Sequence, residues 1–138
     1  MTRQKVFEID GASFNDFAGF IDEFNRGYVA HVDGDWKGNL DAFNDYLCWH
    51  EERYFLRWRN SNKSQSDLGY AAMANWLKNN ITQCHPSNRL SVEKRLKAAQ
   101  EHQGPTLFDW LVEIIQENQE WVELILDSHG SLAGKQSK

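Results

Sequence analysis

Two aspartates four residues apart, Asp41 and Asp45, are the first residues here whose type and spacing could do chemistry. On a helix, positions i and i+4 share a face, so the pair could ligate a metal or act as a general acid and base. His31, His50, Glu51, Glu52, Cys84 and His85 are further potential ligands. The motifs that usually accompany such chemistry are missing: the sequence has no HExxH, CxxC, Walker loop, GxSxG or GxGxxG. The five histidines are scattered at exposed-looking positions, so a metal or acid–base centre is the weaker reading and no cofactor is expected. Cys48 lies close to carboxylates that disfavour a thiolate, which argues for a partly buried, inert thiol. The chain is not expected to be an enzyme.

Recognition suits the same residues better. Trp36 lies in a polar, glycine-containing stretch, residues 27–38, and is expected to be exposed or half exposed. It leads into a helix that displays Asn39, Asp41 and Asp45 on one side. An aromatic anchor, an amide and two carboxylates would then share one protrusion. Carboxylates held rigidly can imitate phosphates, so a pocket of Arg, Lys and His built for nucleic acid would accept them.

The elements that must position these groups follow from hydrophobic period and turn chemistry. Residues 5–10 form a short β-type run closed by Gly11. Ser13 to Asp16 resembles a capping box, and Phe14, Phe17, Ala18, Ile21 and Phe24 recur at helical spacing up to Gly27. A second helix is expected from Asn39 to Cys48. Its Leu40, Phe43 and Leu47 share one face, and Asp41 and Asp45 another. Asn39 suits the N-cap, and Asp41 lies in the first turn, where the helix dipole favours a carboxylate.

Tyr54–Arg59 reads as a second strand and residues 60–66 as a polar loop. Leu68, Ala72, Met73, Trp76, Leu77 and Ile81 mark a third helix from about Asp67. Residues 82–105 read as a surface insertion, with a basic helix from Ser91 to Gly104-Pro105. Thr106 and Asp109 open a last helix on the apolar face of Leu107, Leu111, Ile114 and Ile115. Trp121–Asp127 is the third strand, and 130–138 reads as a disordered tail. Helical crossovers separate every strand from the next, which predicts an α/β domain over 1–129 with a three-stranded parallel sheet packed against helices.

Composition sets the outer bounds. The chain has 138 residues, 41% of them hydrophobic and 13% aromatic, enough for one well-packed domain and too aromatic for disorder. Two cysteines do not make a disulfide scaffold. Polar residues follow Met1, and no 18-residue apolar run exists, so neither a signal peptide nor a membrane span is expected. The expectation is a cytoplasmic monomer.

The net charge of −5 disfavours direct nucleic-acid binding. It also conceals a segregation. Residues 1–52 carry eleven acids and four bases, 53–105 three acids and nine bases, and 106–129 six acids and no base. Residues 31–52 alone hold six acids against Lys37. Such a patch steers association with a basic partner.

The run Trp36-Lys37-Gly38-Asn39-Leu40-Asp41-Ala42-Phe43-Asn44-Asp45-Tyr46-Leu47 resembles the loop and second helix of the barstar family, intracellular inhibitors of extracellular ribonucleases. The resemblance extends over most of residues 5–128 apart from 82–105. It implies a stoichiometric inhibitor, of antitoxin or immunity type, that plugs the active site of a basic ribonuclease with its loop and second helix. It also implies that Asp45 replaces the substrate phosphate and pairs with catalytic His and Arg, and that Asp41 meets further basic groups. Asn39 and Gly38 would supply hydrogen bonds, and Trp36 would stand where the family has an aromatic. Asn44 and Asp35 flank these positions where aromatics are common in the family. A further acidic contact on the last helix falls to Glu117, with Glu113 as the other candidate. The alternative is an interaction or regulatory module of the same fold that binds a non-nuclease basic protein.

Overall fold

In a computed structural model, residues 5–81 and 89–128 are described. The expected tail, Cys84, His85 and the start of the insertion lie outside the described residues. The strands are β1 (Lys5–Asp10), β2 (Tyr54–Arg59) and β3 (Val122–Asp127). The helices are α1 (Phe17–Gly27), α2 (Leu40–Tyr46), α3 (Ser61–Asp67), α4 (Tyr70–Ile81), α5 (Arg89–Gln100) and α6 (Leu107–Glu117). The sheet is parallel throughout in the order β1-β2-β3, with Lys5, Tyr54 and Val122 in register at one end and Asp10, Arg59 and Asp127 at the other. The α/β architecture matches the expectation from strand–helix alternation.

One face of the sheet is the floor of the core. Phe7, Ile9, Tyr54, Leu56, Trp58 and Val122 alternate inward and are almost fully buried, the period-2 pattern of a half-covered sheet. Phe20 of α1 stacks on Trp58, with centroids 5.1 Å apart, and contacts Phe14, Phe24 and Phe43. The opposite face is charged. Arg57 bridges Asp127 at 2.6 Å and Glu8 at 3.4 Å across the three strands, a cross-strand ladder that fixes register more than it adds stability.

Several local expectations are corrected. The Ser13–Asp16 capping box does not form. Asp10 instead caps a 3₁₀ turn at Gly11–Ser13, its carboxylate accepting from Ala12 N–H at 2.9 Å. Phe14 stays extended, and Asp16 itself caps α1 through Gly19 N–H at 2.8 Å. Gly11 is required because a Cβ there would lie 2.5 Å from the Asn60 carbonyl. The stretch from Gly27 to Gly38 is not simply a loop, since Val29–Val32 form a 3₁₀ turn and Tyr28 and Val29 are fully buried.

The supposed polar loop 60–66 is helix α3. It escapes hydrophobic-period reasoning because its buried side chains are Ser61 and Ser64. Ser64 Oγ accepts the indole N–H of Trp58 at 2.9 Å, so the helix packs through a small polar residue and a buried hydrogen bond. The third periodic helix, expected from Asp67, begins at Tyr70. The third strand starts at Val122, leaving Trp121 exposed outside it.

Helix α5 is more than a surface appendage. It packs along α4 as a helical hairpin, with Ala99 buried and Val92 and Leu96 partly so. The guanidinium of Arg95 sits 4.9 Å from the Trp110 ring centroid. Among the described residues, no helix is long and apolar enough to cross a membrane.

The capping box of α6 forms as expected. Thr106 Oγ1 accepts from Asp109 N–H and the Asp109 carboxylate accepts from Thr106 N–H, both at 3.1 Å. Thr106→Ala is expected to destabilise the chain by about 1 kcal/mol, seen as a lower urea midpoint with unchanged slope. Thr106→Ser should restore most of it.

Candidate protein-binding site

Helix α2 has only seven residues, too few to persist alone in water. It is held from both ends. At its start, Asn39 Oδ1 accepts from Ala42 N–H at 3.0 Å, and Asp41 occupies the first turn. The Asn39 carbonyl receives the indole N–H of Trp36 at 2.8 Å. The backbone of Trp36 is gripped in turn by the side-chain amide of Asn25 on α1, donor to acceptor both ways at 2.8 Å.

Trp36 is therefore not the exposed anchor expected of it. It is 1% exposed, with its ring edge-on to Phe17, Phe20 and Phe24 and tilted against Phe43. The aromatic cluster takes the indole in, and the bond to Asn39 satisfies its one donor, so burial carries no unpaired polar group. Gly38 is also buried. Its φ of +107° and the approach of Ile21 Cδ1, 2.7 Å from where a Cβ would sit, both require glycine.

At the other end, two buried tyrosines rise from the core. Tyr28 Oη donates to the Tyr46 carbonyl and Tyr54 Oη to the Leu47 carbonyl, both at 2.6 Å. Their rings stack at 4.9 Å. Burial pushes both phenols above the ordinary tyrosine value. The Tyr54 bond satisfies a carbonyl that a helix C-terminus leaves open, and the Tyr28 bond adds a second donor to the Tyr46 carbonyl, which also accepts from Trp49 N–H. On the flank, Asn118 at the end of α6 donates to Asn44 Oδ1 at 2.8 Å and to the Ile114 carbonyl at 2.9 Å.

With Leu40, Phe43 and Leu47 facing the core, Asp41 and Asp45 are exposed one turn apart. Residues 38–52 contain four acids and no Lys or Arg. The nearest cations on either side are already engaged. Lys37 pairs with Asp35 at 2.7 Å. Arg53 donates to the Gln119 carbonyl at 3.1 Å and pairs with Glu123 at 3.4 Å. Among the described residues no ion pair neutralises Asp41 or Asp45 on α2, or Glu51 and Glu52 in the turn that follows, and such a run of like charge favours a basic protein.

The remaining candidates fall differently. Asp35 is exposed but shares its charge with Lys37. Asn44 is exposed, yet its carbonyl oxygen is used by Asn118. Glu117, exposed and next to Asn118, lies at the end of α6 that is bonded to α2. Glu113 lines a cleft of about 250 Å³ with Met73, Arg95, Gln103 and Trp110. Cys48 is exposed rather than partly buried, its thiol donating to the Asp45 carbonyl at 3.2 Å. The His31 and His50 rings both pack 5.3 Å from Phe7, and His50 Nδ1 lies 2.7 Å from the Glu52 carbonyl. No cluster of three or more metal-ligating side chains exists among the described residues.

Sequence reasoning overlooked Trp49, which is 52% exposed and packs its ring on Tyr46 with centroids 4.4 Å apart. The available signal was position: Trp49 lies two residues past Leu47, off the apolar face of the helix.

A protein-family model described as Barstar (barnase inhibitor) matches residues 4–80. That span contains β1, β2, α1 to α3 and all of α4 but its last residue, with the whole acidic helix. Helices α5 and α6 and strand β3 lie beyond it. No curated protein and no solved structure matches the chain.

The two tyrosine hydroxyls set an alkaline limit. Their folded values lie above the unfolded value of about 10, so the folded chain holds these protons more tightly. Their contribution is complete below about pH 10 and is lost as pH rises from there towards the folded values. The urea midpoint should therefore fall as pH rises above about 10. Tyr28→Phe with Tyr54→Phe should lower the unfolding free energy by about 1 kcal/mol per bond at neutral pH and flatten the alkaline decline.

Proposed function

The chain belongs to the barstar family, and from that premise we propose that it is a stoichiometric protein inhibitor of a ribonuclease, acting by occlusion of the active site. The observation that carries the reading is the fixed helix α2, with Asp41 and Asp45 exposed one turn apart and no neutralising cation between residues 38 and 52. A ribonuclease holds its substrate phosphates in a pocket of positive charge. Two carboxylates at fixed spacing can enter that pocket in place of phosphates, with charge-assisted hydrogen bonds to Arg, Lys and His. Because both ends of α2 are held by the core, little conformational freedom is lost on docking.

In this reading Asp45 takes the place of the attacked phosphate and Asp41 meets a neighbouring basic group. The Asn39 side chain has its oxygen occupied by the N-cap bond, so its NH₂ group is the part offered to a partner. Glu117 adds an acidic contact from α6, and Asp35 and Asn44 lie at the rim. Trp36 and Gly38 act from beneath, by shaping the loop. The inhibitor works as a monomer in the cytoplasm of the producing cell, makes no bond to RNA, and uses no cofactor.

Titration of ribonuclease activity tests this, with barnase and with a ribonuclease encoded beside this chain as targets. Activity should fall linearly to zero at one equivalent, and a short oligonucleotide should compete. Asp45→Ala is expected to weaken the complex by about 2 kcal/mol or more, some 30-fold. A loss under about 1 kcal/mol would remove Asp45 from its assigned role. Binding to a basic protein without inhibition of any nuclease would favour a regulatory module of the same fold.

A further inference from the structure

Just past α2, an aromatic pair stands at the acidic strip, and one member of it takes no part in holding the helix. Trp49 N–H donates to the Tyr46 carbonyl at 3.0 Å, and Cys48 N–H to the Asp45 carbonyl at 3.2 Å. The chain therefore keeps a helical turn as far as Trp49. Tyr46 beneath it is fixed at three points. Its carbonyl accepts from Tyr28, its hydroxyl accepts from Asp35 N–H at 3.3 Å, and its ring covers Gly34. The indole of Trp49 leans on this ring at an interplanar angle of 64° with half its surface in solvent. A braced but exposed indole is costly to hydrate and cheap to dock, because its position is already set.

Its electrostatic setting selects the ligand. Asp45 lies four residues before Trp49, and Glu51 and Glu52 two and three residues after; all three are exposed. The cations that bracket this stretch in sequence, Lys37 and Arg53, pair with Asp35 and Glu123. An indole face attracts a cation through its quadrupole, and carboxylates beside it add direct attraction. A guanidinium fits both at once, since it is flat enough to stack and keeps N–H groups at its edge for carboxylates, whereas an ammonium is a compact, strongly hydrated charge. The chain already uses this contact internally, with Arg95 over Trp110 at 4.9 Å. Among the described residues, no cation lies over Trp49.

We propose that Trp49, braced by Tyr46, is a receptor for an arginine side chain of the basic partner, with the flanking carboxylates taking the guanidinium N–H groups. The proposal rests on the reading that the α2 face meets a basic protein, and it names the side chain which that protein presents. The aromatic anchor that sequence assigned to Trp36 is thereby relocated beyond the other end of the helix.

The test uses the full chain and two capped peptides of equal length, one with four arginines and one with four lysines, and measures each affinity by isothermal titration calorimetry. The wild-type chain should bind the arginine peptide about threefold or more tighter than the lysine peptide. Trp49→Leu, which keeps an apolar side chain without a π face, should abolish that preference. Trp49→Phe should keep part of it, and Glu51→Gln with Glu52→Gln should weaken both peptides. Equal affinity for the two peptides, or a preference that survives Trp49→Leu in a folded chain, overturns the proposal whatever the nuclease titration shows. An arginine preference that needs Trp49, with no nuclease inhibited, upholds the receptor and rejects the nuclease as its partner.

Discussion

The acidic face of α2 depends on three buried donors: the indole N–H of Trp36 and the hydroxyls of Tyr28 and Tyr54. Each points out of the aromatic core at a backbone carbonyl next to or within α2. A helix of seven residues has almost no stability of its own, because nucleation costs several dihedrals before the hydrogen bonds accumulate. Here its ends are fixed by groups that must donate to something once buried. The arrangement makes the helix an extension of the core. That matters for Asp41 and Asp45, whose mutual repulsion at i and i+4 would weaken an isolated helix by a few tenths of a kcal/mol. Tertiary bonds carry the helix instead, and the charges stay free for a partner.

Charge is treated differently on different faces of the molecule. The outer face of the sheet pairs Glu8, Arg57 and Asp127 internally, and Asp35 and Glu123 have Lys37 and Arg53. On α2 and the turn after it, the carboxylates form no ion pair among the described residues. An ion pair at the protein surface contributes little to stability, so leaving these acids unpaired costs the fold little. It gives the face a field that reaches about a Debye length into solvent.

The legible part of this fold was what depends on period and punctuation. The three strands, their parallel order and the inward face of α2 all followed from spacing, as did the capping box at Thr106. The motif around Asn39 to Asp45 singled out the helix that carries the candidate site. The misreadings have one cause in common: polar groups used inside. Helix α3 looked like a loop because its packing residues are serines, one of them the acceptor for the indole of Trp58. Trp36 looked exposed because its neighbours in sequence are polar, while its neighbours in space are phenylalanines. Nothing in the sequence says that Asn25 will grip its backbone from eleven residues away. Trp49 went unnoticed because a residue off the apolar face carries no periodic signal.

The parallel sheet has a consequence for how the chain finds its fold. Strand β2 must pair with β1 across residues 11–53 and with β3 across residues 60–121, so no strand contact is local and each closes a long loop. Such topologies assemble slowly, since chain entropy is lost before the pairing returns anything. The α4–α5 hairpin lies inside the second, longer loop, yet its contacts are chiefly with itself. A helical hairpin can form early from local contacts, and each doubling of loop length adds only about 0.6 kcal/mol to closure. The twelve residues of α5 therefore enlarge the domain at little further cost in loop closure, and the excursion between β2 and β3 adds little to the slowness that the parallel sheet already imposes.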